Sequence, residues 1–347
     1  MPTRNRVALL REALRSVHRQ TWKRLETVVV DDASTDSTRG MLAAEFPDVR
    51  IVGHEVAHGP AGARNSGIDA ATGEWVLFLD DDDLVHPEHV EALVQATAEL
   101  PTQDIVSGRW RRFGIIDGHV RLGPVVCAAP ERSASEALAE ILEPMGEGTI
   151  CGHSVLWPRA LLRELRWDDT LTANGDSDLF GRAILAGRRI VGRPVGMAYY
   201  RHHEAQRVSS ITALSRPLSA ARYRLKWSEL LLARDDGERY APAMRNGFMT
   251  LLIALAGLPE ARAIVPDLEK AFARWGGDAY FIVNPPKHPL KRYLATATLR
   301  LGGPAALHWL LKQASQPARL ANSDRSTFRE VRSDRDSLDA AVIESLL

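Results

Sequence analysis

Cysteine is nearly absent from this chain. Its 347 residues carry two, Cys127 and Cys151. Two thiols allow one bridge, but nothing in the sequence demands it, and no pair has the short spacing of a thiolate metal site. Free thiols in a reducing cytosol are the expectation. An excess of charge of either sign is also missing: 44 basic residues balance 44 acidic ones, for a formal net charge of zero. That excludes a dominant polyanion surface, and no nucleic-acid partner is expected. Long apolar runs are lacking too. The longest, Phe248 to Leu258, is too short to cross a bilayer and is interrupted by Gly257, so it reads as a buried helix and no transmembrane segment is expected. No signal peptide, internal repeat or Gly-rich basic phosphate loop is visible. The expected location is cytoplasmic, with peripheral membrane contact left open.

What the chain does carry is Phe78-Leu79-Asp80-Asp81-Asp82-Asp83. An apolar stretch, Glu74 to Leu79, reads as a buried strand, and four carboxylates arrive where it should end. Adjacent negative charges repel and are costly to desolvate, so such a site needs a compensating cation. A hard divalent ion such as Mg²⁺ or Mn²⁺ shared with a phosphate fits that need, while a solvated acidic turn is the plainer alternative. Upstream, Leu25 to Val30 and then Asp31-Asp32-Ala33-Ser34-Thr35-Asp36 repeat the pattern. The carboxyl ends of parallel strands are where open α/β sheets bind ligands, so two acid-bearing strand ends suggest one crevice. Between them, Gly59 to Gly67 forms a small-residue helix start carrying Arg64, suited to close approach of an anion.

Helices are expected from Val7 to Val17 with Asn5 as N-cap, and over 36–46, 60–71, 87–100 and 133–142, the last opened by a Ser133–Glu136 capping box. Strands are expected over 25–30, 49–53, 74–79 and 104–110, with a hairpin around Asp117-Gly118. Alternating strands and helices argue for an α/β fold with a mostly parallel doubly wound sheet. After Ser215 the character becomes helical, over 218–232, 244–258, 264–275, 293–301 and 304–314. The expected division is residues 1–212 as a catalytic domain, 213–320 as a helical region that scaffolds, oligomerises or selects acceptor, and 321–347 as a charged, flexible tail.

Together, Pro2-Thr3-Arg4-Asn5-Arg6, Val30 to Asp36, Ala63-Arg64-Asn65-Ser66-Gly67, Ala71 to Trp75 and the acidic run followed by Pro87 resemble the family 2 glycosyltransferases of the A-type fold, in order and in spacing. The resemblance covers about the first two thirds of the chain. It implies a nucleotide-sugar donor, usually a UDP-sugar, a divalent metal, and inversion at the anomeric carbon. The acceptor stays unidentified. Relatives begin with an apolar strand before the Pro-Thr motif, whereas this sequence starts at Met1-Pro2, so the first strand is expected to be missing or its slot filled by another segment.

The resemblance also implies roles. Asp32 would accept the uracil N–H, with turn capping as its alternative; Thr3 would contribute its backbone, and Arg4 would stack on the base. Asp82 would ligate the metal, with Asp80 or Asp81 nearer the ribose or a metal-bound water, and Asp83 capping the next turn. Arg64 would bind a phosphate or pair with the acids. In Asn174 to Phe180, Asp176 matches the base that deprotonates the acceptor, although Gly175 replaces the usual Glu and Asp176 could equally cap the helix. Asp178 would support that helix or bind acceptor. His203, in Tyr200-Arg201-His202-His203, would ligate the metal or be structural. Trp157 and Trp167 would line the acceptor cleft or pack in the core. A nucleotidyltransferase, or a non-catalytic module with a decayed site, are the rival readings.

Overall fold

The computed structural model describes residues 1–98, 100, 104–128, 133–142, 150–203, 215–255, 258–276 and 334–347. The expected helices over 293–301 and 304–314 lie outside these.

The chain opens with strand β1 (Pro2–Thr3), helix α1 (Val7–His18), β2 (Val28–Asp32), α2 (Thr38–Glu45), β3 (Arg50–His54) and α3 (Gly59–Ala70). The three strands form a wholly parallel sheet in the order β1-β2-β3, with Pro2 opposite Val30 and Val30 opposite Val52. A first strand is therefore present, against the expectation that it is missing. Met1 extends its ladder on both sides, its amine donating to the Val28 carbonyl at 2.8 Å and its own carbonyl accepting Val30 N–H at 2.8 Å. Burial pushes that amine down to about 5. Leu10 and Leu14 on α1, Val29 on β2 and Met41 and Leu42 on α2 close the core beneath, at helical and strand periods respectively.

Next come β4 (Trp75–Leu77), β5 (Leu84–Val85), α4 (His89–Thr97), β6 (Ile105–Ser107), β7 (Arg109–Ile116), β8 (His119–Leu122), β9 (Val126–Cys127), α5 (Ala134–Leu142), β10 (Val155–Pro158), α6 (Arg159–Leu165), α7 (Gly175–Leu185), β11 (Ile190–Gly192) and β12 (Ala198–Arg201). A four-stranded sheet runs β11-β6-β10-β4, in which β10 is antiparallel to both neighbours. The strand expected over 104–110 breaks at Gly108, where a Cβ would meet Leu93 and the Val195 carbonyl, each at 2.8 Å. Its second half joins another sheet, β5-β12-β7-β8, with β9 also on β7. The β7–β8 hairpin turns at Asp117-Gly118, both at positive φ (53° and 75°), as foreseen. The Ser133 hydroxyl and backbone N–H both meet the Glu136 carboxylate, completing the foreseen capping box.

Helices α8 (Ser215–Leu232), α9 (Ala241–Leu255) and α10 (Val265–Arg274) pack around Trp227, Phe248, Leu252 and Trp275 in one core that also takes in Leu138 of α5. No described helix is long and apolar enough to cross a membrane. The end of the tail expected to be flexible is instead helix α11 (Asp334–Glu344). It docks on the third sheet because Ile343 and Leu346 bury against Phe113 and Tyr199, and because Asp339 meets Arg111 at 2.7 Å and the Tyr199 hydroxyl at 2.7 Å. No disulfide joins Cys127 and Cys151.

Candidate active site

Three loops at the carboxyl ends of β1, β2 and β4 converge. The loop after β1 is pinned by Asn5 (φ 53°), whose side-chain oxygen accepts Thr35 N–H at 2.7 Å. Asn5 thus clamps the β2–α2 loop instead of capping α1. Asp31 and Asp32 end β2 inside the strand, so their side chains point to opposite faces. Asp31 orients the loop through Ser34 N–H at 3.1 Å and Arg39. Asp32 holds the start of α3: Oδ1 accepts His58 N–H at 2.8 Å and His54 Nδ1–H at 2.7 Å, and Oδ2 accepts Gly59 N–H at 2.8 Å. Burial opposes ionisation of Asp32, but these three donors keep its carboxyl below the usual range. Capping, the alternative reading of Asp32, is therefore what its contacts display. Arg4 lies exposed at the rim of this loop.

The acidic run is not left bare. Thr3 Oγ1–H donates to Asp81 at 2.8 Å, so the threonine side chain is engaged as well as its backbone. Arg6 Nη1 lies 3.0 Å from both Asp81 Oδ1 and Asp82 Oδ2. Arg64 donates to Asp80 at 2.6 Å. His153 Nε2 pairs with Asp83 at 2.5 Å, and His203 Nε2 lies 3.0 Å from Asp82 Oδ2. Burial opposes ionisation of Asp80, yet Arg64 and His153 hold it down at about 2. Burial pushes Asp81 up to about 6 against the pull of Arg6. Burial works against the charge on His153 as well, and Asp83 overrides it, raising this imidazole well above its ordinary value.

Asp83 does not cap the following turn. It is 1% exposed, and a carboxylate so deep must be paired. Its partners are His153 and the Arg201 N–H, at 2.6 Å. Arg201 is locked in turn by Glu12 (2.6 Å), the Asp82 carbonyl (2.7 Å) and the Phe113 ring (4.8 Å). Among the described residues, Asp80, Asp83 and His153 bring three ligand atoms within 4.8 Å of one another.

Asp176 stands exposed in the first turn of α7. Asp178, two residues on in the same turn, is wholly buried between Arg182 (2.7 Å) and Trp227 Nε1–H (3.2 Å), which matches the helix-supporting alternative of its two readings. Trp157 and Trp167 are both core residues, 1% and 7% exposed. Trp167 also has a local role. Asn65 on α3 clamps its backbone with two hydrogen bonds, of 2.8 and 2.9 Å, and its ring lies under the Arg64 guanidinium at 4.5 Å. A Cβ on Gly175 would come within 3.2 Å of that ring. The contacts run Asp80–Arg64–Trp167–Gly175, so the acidic run and the first turn of α7 are built as one unit. A side chain at position 175 would need the Trp167 ring to give by a few tenths of an ångström.

Comparison with known proteins agrees with this geometry. Residues 1–164 match the model of glycosyl transferase family 2. The chain carries a family 2 glycosyltransferase domain. Over 244 residues it is 30% identical to the succinoglycan biosynthesis protein ExoO of Rhizobium meliloti, covering 66% of this chain and 64% of that protein. Over 103 residues it is 39% identical to a GalNAc(5)-diNAcBac-PP-undecaprenol beta-1,3-glucosyltransferase of Campylobacter jejuni, covering 28% and 33% respectively. The chain thus spans less than two thirds of the length of these relatives. The crystal structure of S. aureus TarS 1-349 in complex with UDP-GlcNAc aligns over 91% of both chains with a TM-score of 0.61; at 18% identity it establishes the shared α/β fold.

Sequence reasoning missed Arg6, His153 and Arg201 as partners of the acids. Arg6 was legible in principle: a buried acidic run needs cations, and Arg6 closes the first family motif. His153 carries no local signal, and Arg201, though part of the Tyr200-Arg201-His202-His203 segment, is brought to Asp83 only by long-range packing.

Proposed function

We propose that this protein is an inverting, metal-dependent glycosyltransferase that moves a sugar from a UDP-sugar to an acceptor hydroxyl. One observation carries the reading. Arg64 joins Asp80 of the acidic run to the Trp167 ring, and that ring lies against Gly175 in the first turn of α7, where Asp176 is exposed. The match of residues 1–164 to the family supports it.

Asp82 and His203 fit a divalent cation. Their oxygen and nitrogen lie 3.0 Å apart, the spacing of about 3 Å that adjacent ligands take around an octahedral ion at about 2.1 Å. A bound Mn²⁺ or Mg²⁺ would neutralise charge on the departing diphosphate. Arg64 and Asp80 flank that position and orient the donor. Asp32 retains an acceptor site on Oδ2, engaged by Gly59 alone, toward which a uracil N–H can donate, and Arg4 stacks at the rim. Asp176 takes the proton from the acceptor hydroxyl, whose oxygen attacks the anomeric carbon from the face opposite UDP.

Thermal unfolding across UDP-, GDP- and dTDP-sugars, with and without Mn²⁺, tests this. Stabilisation by a UDP-sugar only with metal is expected. Asp82→Ala should lose that metal-dependent shift, whereas Asp176→Asn should keep it and lose turnover. Full turnover by Asp176→Asn would remove Asp176 from the role of base.

A further inference from the structure

Four carboxylates of the acidic run face three cations in this structure, Arg6, Arg64 and His153, together with the His203 ring on Asp82. A divalent ion added to that set would overshoot neutrality, so one resident cation must withdraw. His153 cannot, since it is buried and holds the buried Asp83. Arg64 is stacked on Trp167 and donates to Asp80 at 2.6 Å. Arg6 differs from both. A single nitrogen, Nη1, makes both of its carboxylate contacts, each at 3.0 Å, which is weaker than the two-nitrogen fork that grips a carboxylate best. Its side chain is 25% exposed, so a path into solvent is open. Its backbone stays put, because the Arg6 carbonyl accepts Leu10 N–H at 3.0 Å in the first turn of α1.

We propose that Arg6 is a built-in counter-cation that occupies the acidic site in the free protein and is displaced by the divalent ion. It sets metal affinity by competition, a role distinct from ligating the ion. Asp82 Oδ2 is the contested atom, shared by Arg6 and His203. This rests on the metal assignment of Asp82 above.

The test is Mn²⁺ binding to the full chain, read by electron paramagnetic resonance of the free ion, without nucleotide and again with UDP. Arg6→Gln should bind Mn²⁺ about tenfold more tightly than the parent when nucleotide is absent, because a repelling charge has gone. Arg6→Lys, which restores the charge, should return toward parental affinity. Thermal unfolding checks the fold, and Arg6→Met, which keeps the aliphatic stem, supplies the comparison should Arg6→Gln be unstable. Equal or weaker binding by the neutral variants, in proteins that do bind Mn²⁺, overturns the proposal alone. Binding by neither parent nor variants, with or without UDP, overturns the metal assignment and this proposal together.

Discussion

Gly181→Ala is a single-methyl change with a large expected cost. Gly181 lies in the buried stretch of α7, and a Cβ built there falls 1.8 Å from Trp227 Cζ2 and 1.9 Å from Cη2. Trp227 is wholly buried, beside the Tyr223 ring at 4.9 Å. The ring must retreat by more than about 1 Å to restore ordinary contact, the kind of overpacking that costs about 1–3 kcal/mol. The retreat also stretches the 3.2 Å hydrogen bond from Trp227 Nε1–H to the buried Asp178, forfeiting part of the about 1.5–3 kcal/mol that a bond to a charged acceptor contributes. Against this, alanine gains about 1 kcal/mol of helix propensity over glycine. The net is a destabilisation of about 2–4 kcal/mol, read as a lowered urea midpoint at unchanged slope. In a Trp227→Leu background the methyl has room, so Gly181→Ala should cost little there. A Gly181→Ala protein within about 0.5 kcal/mol of the parent, or strict additivity in the double variant, would refute the reasoning.

Other residues give sharp expectations as well. Burial lowers His89 to about 4; His86, His153 and Arg109 face it, and its Nε2–H donates to the His153 carbonyl at 3.0 Å. As pH falls from 6.5 to 4 the unfolded chain takes up a proton here that the folded chain does not, so stability drops by about 3 kcal/mol over that window. His89→Gln, compared by urea unfolding at pH 7 and pH 4.5, should lose most of this pH-dependent part; an unchanged difference between the two pH values would show that His89 is not the linked group. Asp339→Ala strips a carboxylate from the buried Arg111 and from the Tyr199 hydroxyl, leaving Arg111 only Asp336 among the α11 carboxylates. The cost should be about 3 kcal/mol, the low end for a broken buried pair, with faster proteolysis of α11; a loss under about 1 kcal/mol would show that apolar packing alone docks this helix.

The parts of the fold legible in the sequence are those with a local cause. Leu10 and Leu14 repeat at the helical period, Ser133 and Glu136 form their cap from side chains three residues apart, and Asp117-Gly118 supply the positive φ of a tight hairpin. The four-acid run announced itself by its electrostatic cost alone. What could not be read depends on distant partners. Nothing around Asp339 says that Arg111, more than two hundred residues earlier, needs it, and a charged segment rich in Asp and Arg reads as solvated until that buried guanidinium is known. The same holds for Asp83, whose capping role looked natural in sequence and yields to His153 because burial demands a cation.

The active-site residues divide along this line in a way that bears on mechanism. Asp83 and Asp178 lie among acidic motifs but are 1% and 0% exposed and paired to His153 and to Arg182, so they hold the loop and the helix in place. Asp80, Asp82 and Asp176 keep solvent access or exchangeable partners, as chemistry requires. Motif spacing does not separate the two classes, since each has a supporting aspartate within three residues of a reactive one. Among these five aspartates burial does separate them. A carboxylate that must bind a metal or accept a proton cannot also be the permanent partner of a buried cation. The supporting aspartates satisfy the fixed cations of the core, and under the proposed mechanism that leaves Asp82 and Asp176 free to change partners.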